Sequence, residues 1–92
     1  MSDLSADARP AIARGFRMQW EPAQNAHVLL YPEGMIKLNA SAAAIMNLCD
    51  GARSIREIVS GLEQQYGASG LEAEVTAFVR LAAEKNWLEI RG

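Results

Sequence analysis

The sequence predicts an α+β fold of the winged-helix-like kind: an N-terminal three-stranded antiparallel meander followed by a three-helix bundle. Two observations carry this. Before Asn39 the apolar residues recur with a period of two, and after it with the period of a helix. The helical half is also divided at short intervals by capping and stop signals, so its helices are short and must pack on one another. At 92 residues the chain has room for one domain, spanning residues 1–92.

Ser2, Asp3, Ser5, Asp7 and Pro10 give the start of the chain the composition of a flexible lead-in, expected over residues 1–12. Met1 to Pro10 has neither the basic start nor the apolar stretch of a secretory signal. Phe16, Met18 and Trp20 then alternate with Arg17 and Gln19, the pattern of a half-buried strand. Glu21 to Asn25 is turn chemistry. His27 to Tyr31 is apolar on both faces, as a central strand requires. Tyr31-Pro32-Glu33-Gly34 reads as a tight turn, with Pro32 pre-setting φ and Gly34 tolerating a positive one. Met35 to Leu38 forms the third strand.

Asn39 or Ser41 caps the first helix, in which Ala42, Ile45, Met46 and Cys49 share a face. Asp50-Gly51 ends it. Ser54 with Glu57 makes a capping box for the second helix, whose stripe is Ile55, Ile58, Val59, Leu62 and Tyr66. Gly67 stops that helix. Ser69 with Glu72 offers a second box, opening a helix with Leu71, Val75, Phe78, Val79 and Ala82 on one face. The turn Gly67 to Gly70 suits a helix-turn-helix corner. Trp87 and Leu88 close the chain as a short extended segment.

Composition narrows the function. Half the residues are apolar, 22% are charged and the net charge is -2. The mean hydropathy is -0.04 and no long apolar run exists, which excludes a transmembrane helix, and no membrane partner is expected. Cys49 is the single cysteine, so no internal disulfide forms, and a reducing cytoplasm is the expected setting. Catalytic chemistry is missing. His27 is the lone histidine, Cys49 lies on the apolar face of a helix, and no dinucleotide fingerprint, P-loop or CxxC occurs. Asp50-Gly51 lacks the spaced oxygen ligands of a calcium loop. The chain therefore reads as a non-enzyme with no metal and no cofactor. Trp20 and Trp87 read as residues that close the core, and Met18, Met35 and Met46 as apolar filling.

A winged-helix outline admits two uses. The first is DNA recognition, with the third helix in the major groove. An isoelectric point near 5.3 and the pair Glu72 and Glu74 at that helix's start oppose it, because carboxylates repel phosphates. No nucleic-acid partner is expected. The second is peptide capture by strand addition at the edge of the third strand, Met35, Ile36, Lys37 and Leu38, with a helical wall alongside. At ~100° per residue, Leu81 falls roughly 110–120° from the centre of the third helix's apolar stripe, with Ala77 further round on the same side. These six residues are the expected peptide-binding site.

The motifs together resemble the PqqD family over nearly the whole chain. They are Arg9-Pro10, the Arg17 to Trp20 strand, Leu30-Tyr31-Pro32-Glu33, Leu38-Asn39, Leu48-Cys49-Asp50-Gly51 followed by Ser54 and Glu57-Ile58, Phe78-Val79, and Asn86-Trp87-Leu88. The resemblance implies a peptide-recognition domain of pyrroloquinoline quinone (PQQ) biosynthesis. It implies that the precursor peptide PqqA is bound beside the third strand and the Leu71–Lys85 segment. It further implies presentation of that peptide to PqqE, a radical S-adenosylmethionine enzyme, with no cofactor held by the chain itself. A homodimer is possible in this scheme, through exchange about the link near Asn39.

Overall fold

A computed structural model describes residues 4–91; residues 1–3 of the expected lead-in and Gly92 lie outside the described residues. The elements run β1 (Arg9–Ile12), β2 (Arg17–Glu21), β3 (Ala26–Tyr31), β4 (Gly34–Lys37), α1 (Ala40–Met46), α2 (Ile55–Tyr66), α3 (Glu72–Glu84) and β5 (Leu88–Arg91). The class is α+β. The antiparallel meander is β2-β3-β4, with β4 at one edge, and the three helices follow it.

The expected lead-in needs correction. Arg9–Ile12 is not a flexible segment but a strand, paired antiparallel with β5 in a two-stranded ribbon. Ala11 also bridges Asp50, and the Gly51 N–H donates to Pro10 O at 2.9 Å. Ala8, Ala11 and Ala13 are all buried. Small residues suit this place because the chain passes close to the α1–α2 link. A Cβ on Gly51, whose φ is +81°, would meet Ala11 Cβ at 3.2 Å.

In the meander the turns set the register. Residues 22–25 connect β2 to β3, with the Gln24 N–H on Glu21 O and Asn25 taking a left-handed φ of 52°. The β3–β4 turn leaves only Pro32 and Glu33 between the paired Tyr31 and Gly34, and closes without Gly34 entering the left-handed region. Met18, Leu29 and Ile36 are opposite one another across the three strands and pack on the helices.

The helices begin as their caps dictate, with one exception. Asn39 caps α1, its Oδ1 accepting the Ala42 N–H at 2.8 Å. At α2 the Ser54–Glu57 box is complete, at 3.1 and 2.8 Å. The next orphan donors of that helix end, Ile55 N–H and Arg56 N–H, go to Ala8 O and Ala6 O, both at 2.9 Å. At α3 the Ser69–Glu72 box does not form. Gly70 turns the chain with φ 76°, Leu71 takes the cap position, and its N–H is satisfied by Glu63 Oε2 from α2 at 3.1 Å. Asp50 is also occupied by its own chain. Its carboxylate accepts the Arg53 and Ala52 N–H groups, which hold its pKa below the usual carboxylate range, and pairs with the Arg53 guanidinium.

The core gathers Leu29, Met46, Ile55, Ile58, Val75, Val79 and Leu88. Two aromatic residues expected in it lie outside. Trp20 is 49% exposed: it stands edge-on to His27 at 5.1 Å between ring centroids, at a cleft that it lines together with Ala40, Ala43 and Ala44 of α1 and with Leu48 and Tyr66. Tyr66, in the last turn of α2, is 59% exposed and borders an open cavity with Ala40 and Ala44. Met35 is likewise exposed instead of filling an apolar position. Trp87 packs against the core as expected.

Candidate peptide-binding groove

The position of β4 at the sheet edge leaves one side of its backbone without a strand partner. Register and hydrogen bonding decide which groups that side presents. The Leu38 N–H donates to His27 O at 2.9 Å, so these two form a hydrogen-bonded pair. In an antiparallel ladder such pairs alternate with non-bonded ones. Lys37 opposite Val28 is therefore non-bonded, Ile36 opposite Leu29 is bonded, and Met35 opposite Leu30 is non-bonded. The backbone N–H and C=O of Met35 and Lys37 point outward, away from β3. Those of Ile36 and Leu38 are used inside the hairpin.

Beside this edge runs a groove of about 330 Å³. Ile36, Lys37 and Leu38 line it from the strand side and Glu74, Phe78 and Leu81 from α3, with Trp87 also in its lining. Asn39, Ser41, Ala42 and Ile45, from the start of α1, complete its lining. Glu74, Phe78 and Leu81 are spaced i, i+4, i+7, so one stripe of α3 faces the strand. Leu81 is 46% exposed there, although a leucine on this side of the helix adds nothing to the core. Lys37 and Glu74 bring one charge of each sign to the two walls.

The structure thus brings together Ile36, Lys37, Leu38 and Leu81. Leu38 is buried, and its side chain belongs to the core as much as to the groove. Met35 and Ala77 are exposed but do not line the groove. Phe78, Glu74 and Trp87 were not singled out as site residues from sequence. Phe78 and Trp87 read as core by pattern, and only the packing of α3 across the sheet edge shows that each also has a face on the groove.

Compared with known proteins, residues 26–88 match the family model described as coenzyme PQQ synthesis protein D, PqqD. The chain belongs to the PqqD family. Its relatives are similar throughout their length. The PqqA binding protein of Stutzerimonas stutzeri is 51% identical over 92 residues, covering 99% of this chain and all of the relative. That of Azotobacter vinelandii is 53% identical over 91 residues, covering 98% and 99%. Among solved structures, the chain is similar to the solution NMR structure of the PqqD truncation of Methylobacterium extorquens PqqCD. That protein is described as a functional, stand-alone recognition element for ribosomally synthesized and post-translationally modified peptides. The TM-score is 0.70, at 35% identity over 94% of each chain. The stretch matched by the PqqD model contains every residue that lines the groove, whereas β1 and β2 precede it.

Proposed function

We propose that this chain captures the precursor peptide PqqA by strand addition to β4 and presents it to the radical S-adenosylmethionine enzyme PqqE in PQQ biosynthesis. The observation that carries the reading is the free edge of β4, where the outward N–H and C=O of Met35 and Lys37 adjoin an apolar groove. An extended peptide laid there gains backbone hydrogen bonds from the edge. It buries alternate side chains against Ile36, Phe78 and Leu81. The names of the relatives, PqqA binding protein, and of the solved recognition element support the same reading.

The role is binding and not catalysis. The Cys49 thiol is 3% exposed, and burial with the nearby Asp50 charge pushes its pKa up to about 12, so it is protonated and unreactive at neutral pH. A cytoplasmic setting fits a buried free thiol. DNA recognition is disfavoured by Glu72 and Glu74 in the first turn of α3.

Proline substitutions test the reading, because proline removes one N–H. Lys37→Pro deletes an outward N–H and is expected to fold, yet to bind the precursor peptide ~10-fold or more weakly. Ile36→Pro deletes a hairpin hydrogen bond and is expected to destabilise the free protein. Leu81→Asp is expected to fold and to weaken binding. Circular dichroism reports the folding and calorimetry the affinity. If folded Lys37→Pro and Leu81→Asp both bind like wild type, the peptide does not add to β4.

A further inference from the structure

A second cavity, of about 290 Å³, opens where the three helices meet. It is lined by Ala40 and Ala44 of α1, Leu62 and Tyr66 of α2, and Leu71 and Val75 at the start of α3. It shares Ser41, Ile45 and Glu74 with the groove beside β4. The two cavities therefore adjoin each other at the start of α1. We propose that this second pocket receives an apolar side chain of the same bound peptide and so helps decide which peptides are accepted. The proposal rests on peptide capture at β4 and adds a specificity site to it.

The course of the chain supports a continuous path. β4 leads from Gly34 to Lys37, then through Leu38 and Asn39 onto α1. On this proposal a strand paired outside β4 continues past Lys37 toward Ser41, a residue that lines both cavities. α3 flanks the path from Leu71 to Leu81. Ten residues of helix are ~15 Å at ~1.5 Å per residue. An extended peptide covers that length in about four to five residues at ~3.3 Å each. Side chains of a strand share a face at alternate positions. The accepted peptide then carries two apolar side chains two or four positions apart, one beside Phe78 and one in the pocket.

The chemistry of the pocket agrees with such an occupant. Apart from the Ser41 hydroxyl, the Glu74 carboxylate and the Tyr66 hydroxyl, its lining side chains are apolar, and it stands open to water. Tyr66 is 59% exposed there although it lies on the stripe that α2 otherwise buries. An aliphatic or aromatic side chain would cover it. Glu74, at the junction of the two parts, faces the peptide between its two anchors and favours a neutral or basic residue there.

Calorimetry with the precursor peptide, as a cycle between protein and peptide variants, tests the proposal. Ala44→Phe fills the pocket from the half-buried face of α1 and leaves β4 untouched. It is expected to fold and to bind ~10-fold more weakly. One apolar residue of the peptide, two or four positions from another, is expected to cost ~10-fold when changed to alanine against wild type, and almost nothing against Ala44→Phe. Tyr66→Ala, at an exposed position, serves in the same cycle if Ala44→Phe does not fold. Wild-type affinity for the folded pocket variants, with weakened binding by Lys37→Pro, overturns the second pocket and leaves strand addition standing. Wild-type affinity for all of them overturns both. Sedimentation accompanies the titration. A shift from dimer to monomer in Ala44→Phe with unchanged affinity would assign the pocket to self-association and overturn the proposal.

Discussion

The Cys49 thiol donates to Ile45 O at 3.3 Å, four residues back along the chain, its one side-chain hydrogen bond among the described residues. Its burial was legible from the i, i+3, i+4, i+7 spacing, but its place on the first helix is corrected: α1 ends at Met46 with Asn47 as its cap, and Cys49 lies in the turn that follows. Burial is the main reason its thiolate is unfavourable, and its neighbour Asp50 adds a charge that no hydrophobic pattern reveals. The folded thiol titrates near 12 and the unfolded one near its ordinary 9.0. Above pH 9 the unfolded chain releases a proton that the folded chain retains. Stability is then lost as pH rises toward 12, by up to ~1.4 kcal/mol per unit. Below pH 9 this contribution is fully present. Cys49→Ala has no such group, so urea unfolding at pH 8 and pH 10 should show wild type losing ~1 kcal/mol more than the variant. Equal losses would mean that the thiol ionises in the folded protein.

The elements differ in how much of them the sequence discloses, and α2 and β4 mark the extremes. α2 was legible at both ends because its cap, its stripe and its Gly67 stop are local. Ile58, at the centre of that stripe, is fully buried. Ile58→Asp places an unpaired carboxylate there, a change that costs several kcal/mol, about 3 or more, and should abolish the cooperative unfolding transition seen by circular dichroism. Retention of near-native stability would put that face of α2 at the surface. The start of α3 misled the pattern because Ser69 and Glu72 satisfy a spacing rule, while Glu63 from another helix supplies the bond instead. β4 was recognisable as a strand, but not the direction of its N–H groups. That direction follows from the phase of the ladder, set by the two-residue turn at Pro32 and Glu33. Leu81 was legible as a groove wall from its angle on the helix. Phe78 was not, because a residue that packs on the core and also borders a groove looks like core alone.

Across the whole molecule, the β1–β5 ribbon ties the two ends of the chain together, and the segment before it completes the start of α2. Neither was legible. Ala8, Ala11 and Pro10 have little strand propensity, and a pairing between residues near 10 and 90 leaves no local signature. Deletion of residues 1–8 removes the Ala6 and Ala8 carbonyls from the Arg56 and Ile55 N–H groups. It should lower stability by about 2 kcal/mol, read as a reduced urea midpoint, with peptide affinity unchanged. An unchanged midpoint would show that the segment contributes nothing to α2. The groove lies on another side of the core, between the sheet edge and α3, so the claim that the free edge of β4 is the peptide's docking strand can be read directly from the backbone. Amide hydrogen exchange, measured residue by residue with and without saturating precursor peptide, is that measurement. The Met35 and Lys37 amides, outward and unpaired in the free protein, should exchange ~10-fold or more slowly in the complex, while those of Ile36 and Leu38 are already protected. Unchanged exchange at Met35 and Lys37 in the saturated complex would contradict strand addition at β4.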